Sequence, residues 1–184
     1  NSKNHQAKQF IDFGNWTLLG KTLERTKASI YDSPIISTNK KYLSKVKQHL
    51  RKNKINKYKI VVEPAKRNTA PAILSTALIK DIPDNQPLMF FSADHLIEKM
   101  SIFNKAINKN KKNLSDQNIF IFGIKPSSPS SEYGYFLTKK IKGNINKLTR
   151  FIEKPKEAKA KQMIQNKGYW NSGMFYLRKD SIIN

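Results

Sequence analysis

The stretch that decides the fold is residues 59–79, which read KIVVEPAKRNTAPAILSTALI. Its first five residues contain the apolar, β-branched run Ile60-Val61-Val62, which predicts a buried strand over 59–63, and Pro64 ends this strand. Asn68 or Thr69 is placed to cap a helix, and Pro71 is tolerated in the first helical turn. The apolar residues that follow predict the body of that helix. A strand, a loop and a helix in this order are the unit of parallel α/β sheets.

The same alternation extends on both sides of this stretch. Strands are predicted at 34–38, 59–63, 88–92 and 118–124. Helices are predicted at 21–30, 40–54, 68–79 and 101–113. This order predicts an α/β fold with a mostly parallel sheet flanked by helices.

The pattern changes after residue 124. Antiparallel strands are expected at 134–140 and 147–153, joined by a turn at Gly143-Asn144, and a polar helix at 157–166 precedes a last strand at 169–177. These elements predict a small antiparallel insertion. With no repeat and no low-complexity linker, we expect a single domain over residues 1–184.

The composition is strongly basic, with 35 Lys and Arg against 13 Asp and Glu, or a net charge of +22. Such a charge is typical of nucleic-acid binding. However, 30 of the 35 cations are lysine and they are spread along the chain, which favours a solvated, compositionally biased surface. The absence of cysteine excludes disulfides and thiolate sites. Without an apolar leader or membrane span, we expect a cytoplasmic protein with no membrane or nucleic-acid partner.

Two groups of polar residues follow predicted strands, where open α/β sheets bind ligands. The segment from Glu63 to Thr69 offers cations, polar side chains and the amide groups of a helix start, which suit a phosphate or nucleotide. Asp94 follows the apolar strand and is a natural Mg²⁺ ligand. A helix-capping loop and a capping carboxylate are the respective alternatives. His95 has no second His or Cys at a metal-binding spacing.

Three further motifs begin, end or interrupt the later strands. Gly134, between two tyrosines, permits the close approach of a ligand, although a turn glycine is the alternative. Glu153 and Lys154 lie next to each other at the end of a predicted strand, so one could bind a sugar hydroxyl and the other a phosphate. An exposed charged pair is the alternative. Asn171 and Gly173 interrupt an apolar strand, which costs stability unless a ligand or a bulge uses them.

The order and spacing of these motifs resemble those of bacterial mannose-1-phosphate guanylyltransferases, the GDP-mannose pyrophosphorylases among the sugar nucleotidyltransferases. The resemblance covers essentially the whole chain. The matching motifs are Glu63-Pro64, Arg67-Asn68-Thr69-Ala70-Pro71-Ala72, Ala93-Asp94-His95, Tyr133-Gly134-Tyr135, Phe151-Ile152-Glu153-Lys154-Pro155 and Trp170-Asn171-Ser172-Gly173-Met174-Phe175.

This resemblance implies a Rossmann-like nucleotide-diphospho-sugar transferase that makes GDP-mannose and pyrophosphate from GTP and mannose 1-phosphate, with Mg²⁺. It implies that Asp94 holds the metal and that Asp94 and Lys154 are catalytic. The implied nucleotide-binding residues are Glu63, Pro64, Arg67, Asn68 and Thr69. The implied sugar-binding residues are Gly134, Glu153, Asn171 and Gly173.

One departure from the family pattern concerns the N-terminus. The family's glycine-rich loop, Gly-Gly-x-Gly-x-Arg-Leu-Trp-Pro-Leu-Ser, is missing before Asn1, and the sequence stops before a further metal-binding carboxylate of the family. We therefore expect a fragment truncated at both ends, with little or no transferase activity by itself.

Three other interpretations stay open at this point. A related hexose-1-phosphate nucleotidyltransferase would differ in base or sugar. A basic nucleic-acid-binding module would bind with a steep salt dependence. A catalytically inactive regulatory homologue would lack turnover, although the retained Asp94, Glu153 and Lys154 argue against it. Homo-oligomerisation is also open.

Overall fold

The computed structural model describes residues 7–63, 69–143 and 145–183. Within these ranges the helices are α1 (Leu18–Arg25), α2 (Leu43–Lys52), α3 (Thr69–Ala77), α4 (Met100–Asn110), α5 (Glu157–Gln165) and α6 (Asp180–Ile183). The strands are β1 (Ile35–Asn39), β2 (Lys59–Glu63), β3 (Pro87–Phe90), β4 (Ile119–Ile124), β5 (Tyr135–Lys142), β6 (Ile145–Ile152) and β7 (Tyr169–Arg178). None of these described helices is both long and apolar enough to cross a membrane.

The strands β1 and β2 pair in parallel. Ile36 pairs with Ile60 and Thr38 with Val62, in a register without a shift. The β-branched side chains of both strands suit this pleated surface. The strand–helix unit predicted from residues 59–79 is present, since β2 ends at Glu63 and α3 begins at Thr69.

The prediction of a mostly parallel sheet is wrong. The larger sheet has five strands in the order β3-β7-β5-β6, with β4 also pairing with β7. Both β6 and β7 run antiparallel to β5. The prediction assumed that consecutive strands would pair with each other. Instead, β3 and β4 both pair with β7, which lies far along the chain.

The chain divides into two compact units. The first comprises Asn1–Ile119 and Tyr176–Asn184, and the second comprises Phe120–Phe175. A core cluster of the first unit lies around α1 and α2 and contains Phe10, Leu19, Leu23, Val46, Leu50 and Ile55. The start of α1 is fixed by Thr17, whose hydroxyl accepts a hydrogen bond from the Gly20 amide at 3.0 Å. This cap starts the helix three residues before the predicted position.

The second unit packs α5 against the sheet. Its core cluster contains Tyr135 of β5 and Ala160 and Met163 of α5. The Gly168 amide donates to the Met163 carbonyl at 2.8 Å, which closes the end of α5 just before β7 begins. Helix α5 and strand β5 therefore share a buried core in this unit.

Candidate functional site

Glu63 is the last residue of β2, and a serine on the neighbouring strand holds its carboxylate. Ser37 pairs with Val61 and Asn39 with Glu63, so Ser37 and Glu63 lie on the same face of the parallel pair. The Ser37 hydroxyl donates to Glu63 Oε1. The carboxyl end of β2 therefore presents an oriented, half-buried carboxylate.

After Glu63, the structure describes only the last residue of the predicted nucleotide-binding segment, which is Thr69. Thr69 is exposed and is the first residue of α3. Pro64, Arg67 and Asn68 lie outside the described residues. Of the five predicted nucleotide-binding residues, only Glu63 and Thr69 therefore have a described place, at the two ends of the β2–α3 connection.

Asp94 lies just beyond the end of β3, as the sequence predicted. The Ser92 hydroxyl donates to Asp94 Oδ1 at 2.5 Å, and His95 Nε2 lies 3.9 Å from the same oxygen. The Asp94 side chain is 42% exposed. One carboxylate oxygen is thus oriented by the protein, while the side chain stays open to a ligand.

The donor set around Asp94 fits a cation that is shared with a ligand. Within the described ranges, no group of three or more His, Asp or Glu side chains is placed to hold a metal ion. Mg²⁺ does not need such a cage, because it is usually bound by one or two carboxylates together with substrate phosphates and water. A single open carboxylate is compatible with that arrangement and not with a closed structural metal site.

Gly134 is the centre of a tight cluster in the second unit. Its carbonyl accepts a hydrogen bond from the Asn171 amide at 2.8 Å. A Cβ atom at position 134 would lie 2.7 Å from Glu153 Oε2 and 2.9 Å from Phe151 Cζ. The absence of a side chain therefore lets the Glu153 carboxylate and the Phe151 ring pack directly on the backbone.

Asn171 and Gly173 form a local turn within β7. The Gly173 amide donates to Asn171 Oδ1 at 3.0 Å, and the Met174 amide donates to the buried Ser172 hydroxyl at 3.2 Å. Gly173 has a φ of 67°, a left-handed conformation that favours glycine. The polar interruption of this strand is thus part of its backbone geometry, and it uses the side-chain oxygens of Asn171 and Ser172 as acceptors.

Lys154 follows the strand end in an unusual conformation. The sequence predicted that the strand would deliver Glu153 and Lys154 together, but β6 ends at Ile152 and both residues lie beyond it. Lys154 has a φ of 41° and is exposed. The strict alternation of a strand does not govern these two side chains, because the chain bends between them and the buried Pro155.

The structure brings together part of the predicted set. Contacts join Gly134, Glu153 and Asn171 into one cluster, and Gly173 is tied to it through Asn171. Lys154 is next to the cluster in sequence, because it directly follows Glu153. Glu63, Thr69 and Asp94 belong to the first unit, where separate hydrogen bonds orient the two carboxylates.

Aromatic rings next to the cluster were not among the predicted site residues. The Tyr133 and Trp170 rings lie 4.8 Å apart, and the Phe151 side chain is 44% exposed beside Gly134. The motifs contained all three residues, but only the structure shows that Phe151 lies beside Gly134 and that the Tyr133 and Trp170 rings meet. Ser37 was missed for the same reason, because the pairing of β1 with β2 decides its contact.

Comparison with known proteins places this arrangement in a family. The sequence pattern of the family described as Nucleotidyl transferase matches residues 3–183. The chain belongs to this family. The mannose-1-phosphate guanylyltransferase 2 of Escherichia coli is 36% identical over 96% of the chain, and the mannose-1-phosphate guanylyltransferase of Salmonella muenchen is 33% identical over 99%.

The matching relatives are longer than this chain. It spans 39% of the Escherichia coli relative and 40% of the Salmonella relative. The crystal structure of mannose-6-phosphate isomerase from Helicobacter pylori superposes with a TM-score of 0.82 at 29% identity and covers 96% of this chain and 68% of that one. This member of the family therefore has the α/β fold of its relatives, with the sheets described above.

Proposed function

We propose that the protein transfers a guanylyl group from GTP to mannose 1-phosphate, giving GDP-mannose and pyrophosphate. The observation that carries the proposal is the cluster of Gly134, Glu153 and Asn171, in a chain whose relatives are named mannose-1-phosphate guanylyltransferase. The Glu153 carboxylate, seated on the Gly134 backbone, and the side-chain amide of Asn171 together offer polar groups suited to a sugar.

The reaction is a displacement at phosphorus. An oxygen of the mannose 1-phosphate attacks the α-phosphorus of GTP, the new P–O bond forms, and the bond to the β-phosphate oxygen breaks to release pyrophosphate. Such a step asks the protein mainly for alignment and for neutralisation of negative charge. A general acid or base at the reacting atoms is not needed to balance it.

In this proposal the first unit serves the nucleotide. Glu63, oriented by Ser37, accepts hydrogen bonds from the guanosine, and Thr69 adds a contact at the start of α3. Pro64, Arg67 and Asn68 are proposed as nucleotide-binding residues from the sequence motif alone. Carboxylates are strong acceptors for ring N–H and amino groups or for ribose hydroxyls. The choice of guanine is the most specific part of the proposal, because other bases also carry N–H groups that could donate to Glu63.

Asp94 would hold a Mg²⁺ ion against the phosphates. When bound, the ion would neutralise the developing charge on the phosphate oxygens. The chain's own contribution is the oriented Asp94 oxygen and the Ser92 hydroxyl that fixes it. The open exposure of Asp94 leaves room for ligands that are not protein atoms.

The second unit serves the sugar phosphate. The Glu153 carboxylate accepts hydrogen bonds from mannose hydroxyls, and the Asn171 side-chain amide adds a further polar contact. The bare backbone at Gly134 gives the Glu153 carboxylate its place, and the open space beside Gly173 lets the ring approach. Lys154 supplies a positive charge for the phosphate. A carboxylate that receives hydroxyl hydrogen bonds contributes about 1.5–3 kcal/mol per charged bond.

Direct binding to the chain tests the sugar assignment. We expect calorimetric titration to show binding of mannose 1-phosphate, and Glu153→Gln to weaken it by about tenfold or more, because a charged acceptor is lost. Glu157→Gln is the matched control, since Glu157 is an exposed carboxylate of the same unit that pairs with Lys161 at 2.8 Å. Equal affinities for the two variants would contradict the role of Glu153.

The nucleotide assignment needs a separate comparison. GTP, ATP, UTP and dTTP are titrated into the chain with Mg²⁺, and GTP is expected to bind tightest. A preference for another base, with intact mannose 1-phosphate binding, would replace guanylyl transfer by a sister specificity. If the chain bound neither GTP nor mannose 1-phosphate and instead bound nucleic acid in a salt-sensitive way, the proposal would be overturned.

A further inference from the structure

Arg25 is a buried cation at the end of α1. It is 5% exposed, and its Nη2 donates to the Thr22 hydroxyl at 2.9 Å and to the carbonyl of His95. Its Nη1 is buried without a hydrogen-bond partner among the described residues. Burial lowers the pKa of this guanidinium from its ordinary value. A buried guanidinium with so few partners adds little to stability, so its contacts point to another role.

The contacts of Arg25 bracket the segment that contains Asp94. The guanidinium carbon lies 5.6 Å from the centre of the Phe91 ring, just before Ser92. The His95 carbonyl, which accepts from Nη2, comes just after Asp94. Arg25 therefore touches the chain on both sides of Asp94, while the Ser92 hydroxyl orients the carboxylate itself.

Packing alone supports this segment weakly on its C-terminal side. An open pocket of about 260 Å³ is lined by Lys21 and Arg25 of α1 and by Leu96, Ile97 and Met100 of the following segment. Side chains that line an open pocket face solvent on that side, so they constrain one another little there. Ala93 packs against the core cluster around α1 and α2 on the N-terminal side of Asp94. On its C-terminal side, the hydrogen bond from Arg25 to the His95 carbonyl ties the segment to α1.

We propose that Arg25 is a positioning residue that holds the backbone around Asp94 in the conformation required to receive a metal–nucleotide complex. This inference rests on the proposed function, because it takes Asp94 as the metal ligand. In this proposal Arg25 acts through the His95 carbonyl and the Phe91 ring, and not by contact with the ligands themselves. It lets the carboxylate meet its ligand without a prior rearrangement of the loop, and groups that orient metal ligands in this way contribute about 10–100-fold to metal affinity.

The test measures binding and not turnover. The chain is titrated into Mn²⁺ and GTP, and formation of the ternary complex is followed by the relaxation of water protons. Arg25→Met fills the same space without a donor and is expected to bind Mn²⁺–GTP about tenfold more weakly. Arg25→Lys keeps one donor and is expected to recover most of the affinity. If Arg25→Met does not fold, Arg25→Gln takes its place with the same expected direction.

Lys179→Met is the matched control in the same unit. Lys179 is also 5% exposed, and its Nζ donates to the Ile82 carbonyl at 2.6 Å and pairs with Asp84 at 3.0 Å. Its removal should lower the melting temperature and leave the Mn²⁺–GTP affinity of the folded protein unchanged. Equal losses of affinity in Arg25→Met and Lys179→Met would overturn the positioning role, because only general destabilisation would then explain both.

Asp94→Asn separates this inference from the proposed function. Weak Mn²⁺–GTP binding by Asp94→Asn with wild-type binding by Arg25→Met would refute the role of Arg25 alone. Wild-type binding by Asp94→Asn would refute Asp94 as the metal ligand and the role of Arg25 with it. Weak binding by both variants, with Lys179→Met unaffected, is the expected result.

Discussion

In the first unit, each candidate carboxylate is oriented by one serine hydroxyl, Ser37 for Glu63 and Ser92 for Asp94. In the second unit, Glu153 instead packs on Gly134 with no room for an added atom, and a backbone hydrogen bond from Asn171 fixes the opposite side. A single hydrogen bond contributes about 1 kcal/mol, whereas a steric fit is lost all at once. Substitutions should therefore have graded effects in the first unit and abrupt effects in the second.

The largest effect is expected for Gly134→Ala. Its Cβ would lie 2.7 Å from Glu153 Oε2, so the carboxylate must move and mannose 1-phosphate affinity should fall by about tenfold or more. Stability should change little, because the displaced atoms are the far ends of side chains. Calorimetric titration and thermal melts measure the two quantities.

Gly123→Ala is the control for crowding in the same unit. Its Cβ would lie 2.9 Å from Tyr169 Cβ, an atom next to the backbone that cannot move aside easily. We expect a loss of stability of about 1–3 kcal/mol with no change in sugar phosphate affinity for the folded protein. If Gly134→Ala lost stability like Gly123→Ala and kept its sugar phosphate affinity, the abrupt effect expected from displacing the Glu153 carboxylate would be contradicted.

A smaller effect is expected for Lys154→Gly. The left-handed backbone costs a residue with a side chain about 1–2 kcal/mol, which glycine avoids at a cost of about 0.5–1 kcal/mol from its unfolded-state freedom. The variant should therefore be slightly more stable and should bind mannose 1-phosphate about fivefold more weakly, since a charged partner of the phosphate is lost.

Lys167→Gly controls for the backbone term of this prediction. Lys167 lies in the same unit and has a φ of 57°. It should gain similar stability and keep full affinity for mannose 1-phosphate. Equal affinity losses in the two glycine variants would show that net charge, and not the place of Lys154, governs phosphate binding.

Ser37→Ala tests whether a single serine hydroxyl orients the Glu63 carboxylate in the first unit. Loss of one hydrogen bond of about 1 kcal/mol should free Glu63 and weaken GTP binding by about threefold. Ser75→Ala removes a comparable hydroxyl, which donates to the Ala72 carbonyl at 3.1 Å, and should leave GTP affinity unchanged. A loss above about thirtyfold in Ser37→Ala would contradict graded behaviour.

The smallest effect is expected for Lys147→Glu, away from both candidate sites. Lys139 and Lys147 face each other across β5 and β6, and like charges placed directly opposite are destabilising. The substitution should raise stability by about 0.5 kcal/mol and leave ligand binding unchanged. Chemical denaturation measures the gain, and the double variant Lys139→Glu with Lys147→Glu should lose it by restoring like charges.

The sequence predicted local structure better than sheet topology. The predicted strand at 118–124 is observed as Ile119–Ile124, and the one at 169–177 as Tyr169–Arg178. Runs of apolar residues identify such strands because they reflect burial along the chain. The same runs contain no information on partners, so the pairing of β3 and β4 with β7 was not predictable from alternation of strands and helices.

The candidate site followed the same division. Motif order identified Gly134, Glu153 and Asn171, and the structure supplies their contacts. Ser37 could not be predicted, because its contact with Glu63 depends on strand register. Arg25 carried no sequence signal either, because a charged residue near the end of a short helix usually faces solvent and stabilises the helix dipole.

The hydroxyl of Tyr135 has a consequence for the loop that precedes it. Tyr135 is fully buried, and its oxygen accepts a hydrogen bond from the Ser130 amide at 2.9 Å. The polar segment 126–131 looks like a free connection, yet one of its amides is anchored to the core of the second unit. In deuterium exchange, the Ser130 amide should therefore exchange on the slow timescale of core opening, while its loop neighbours exchange quickly.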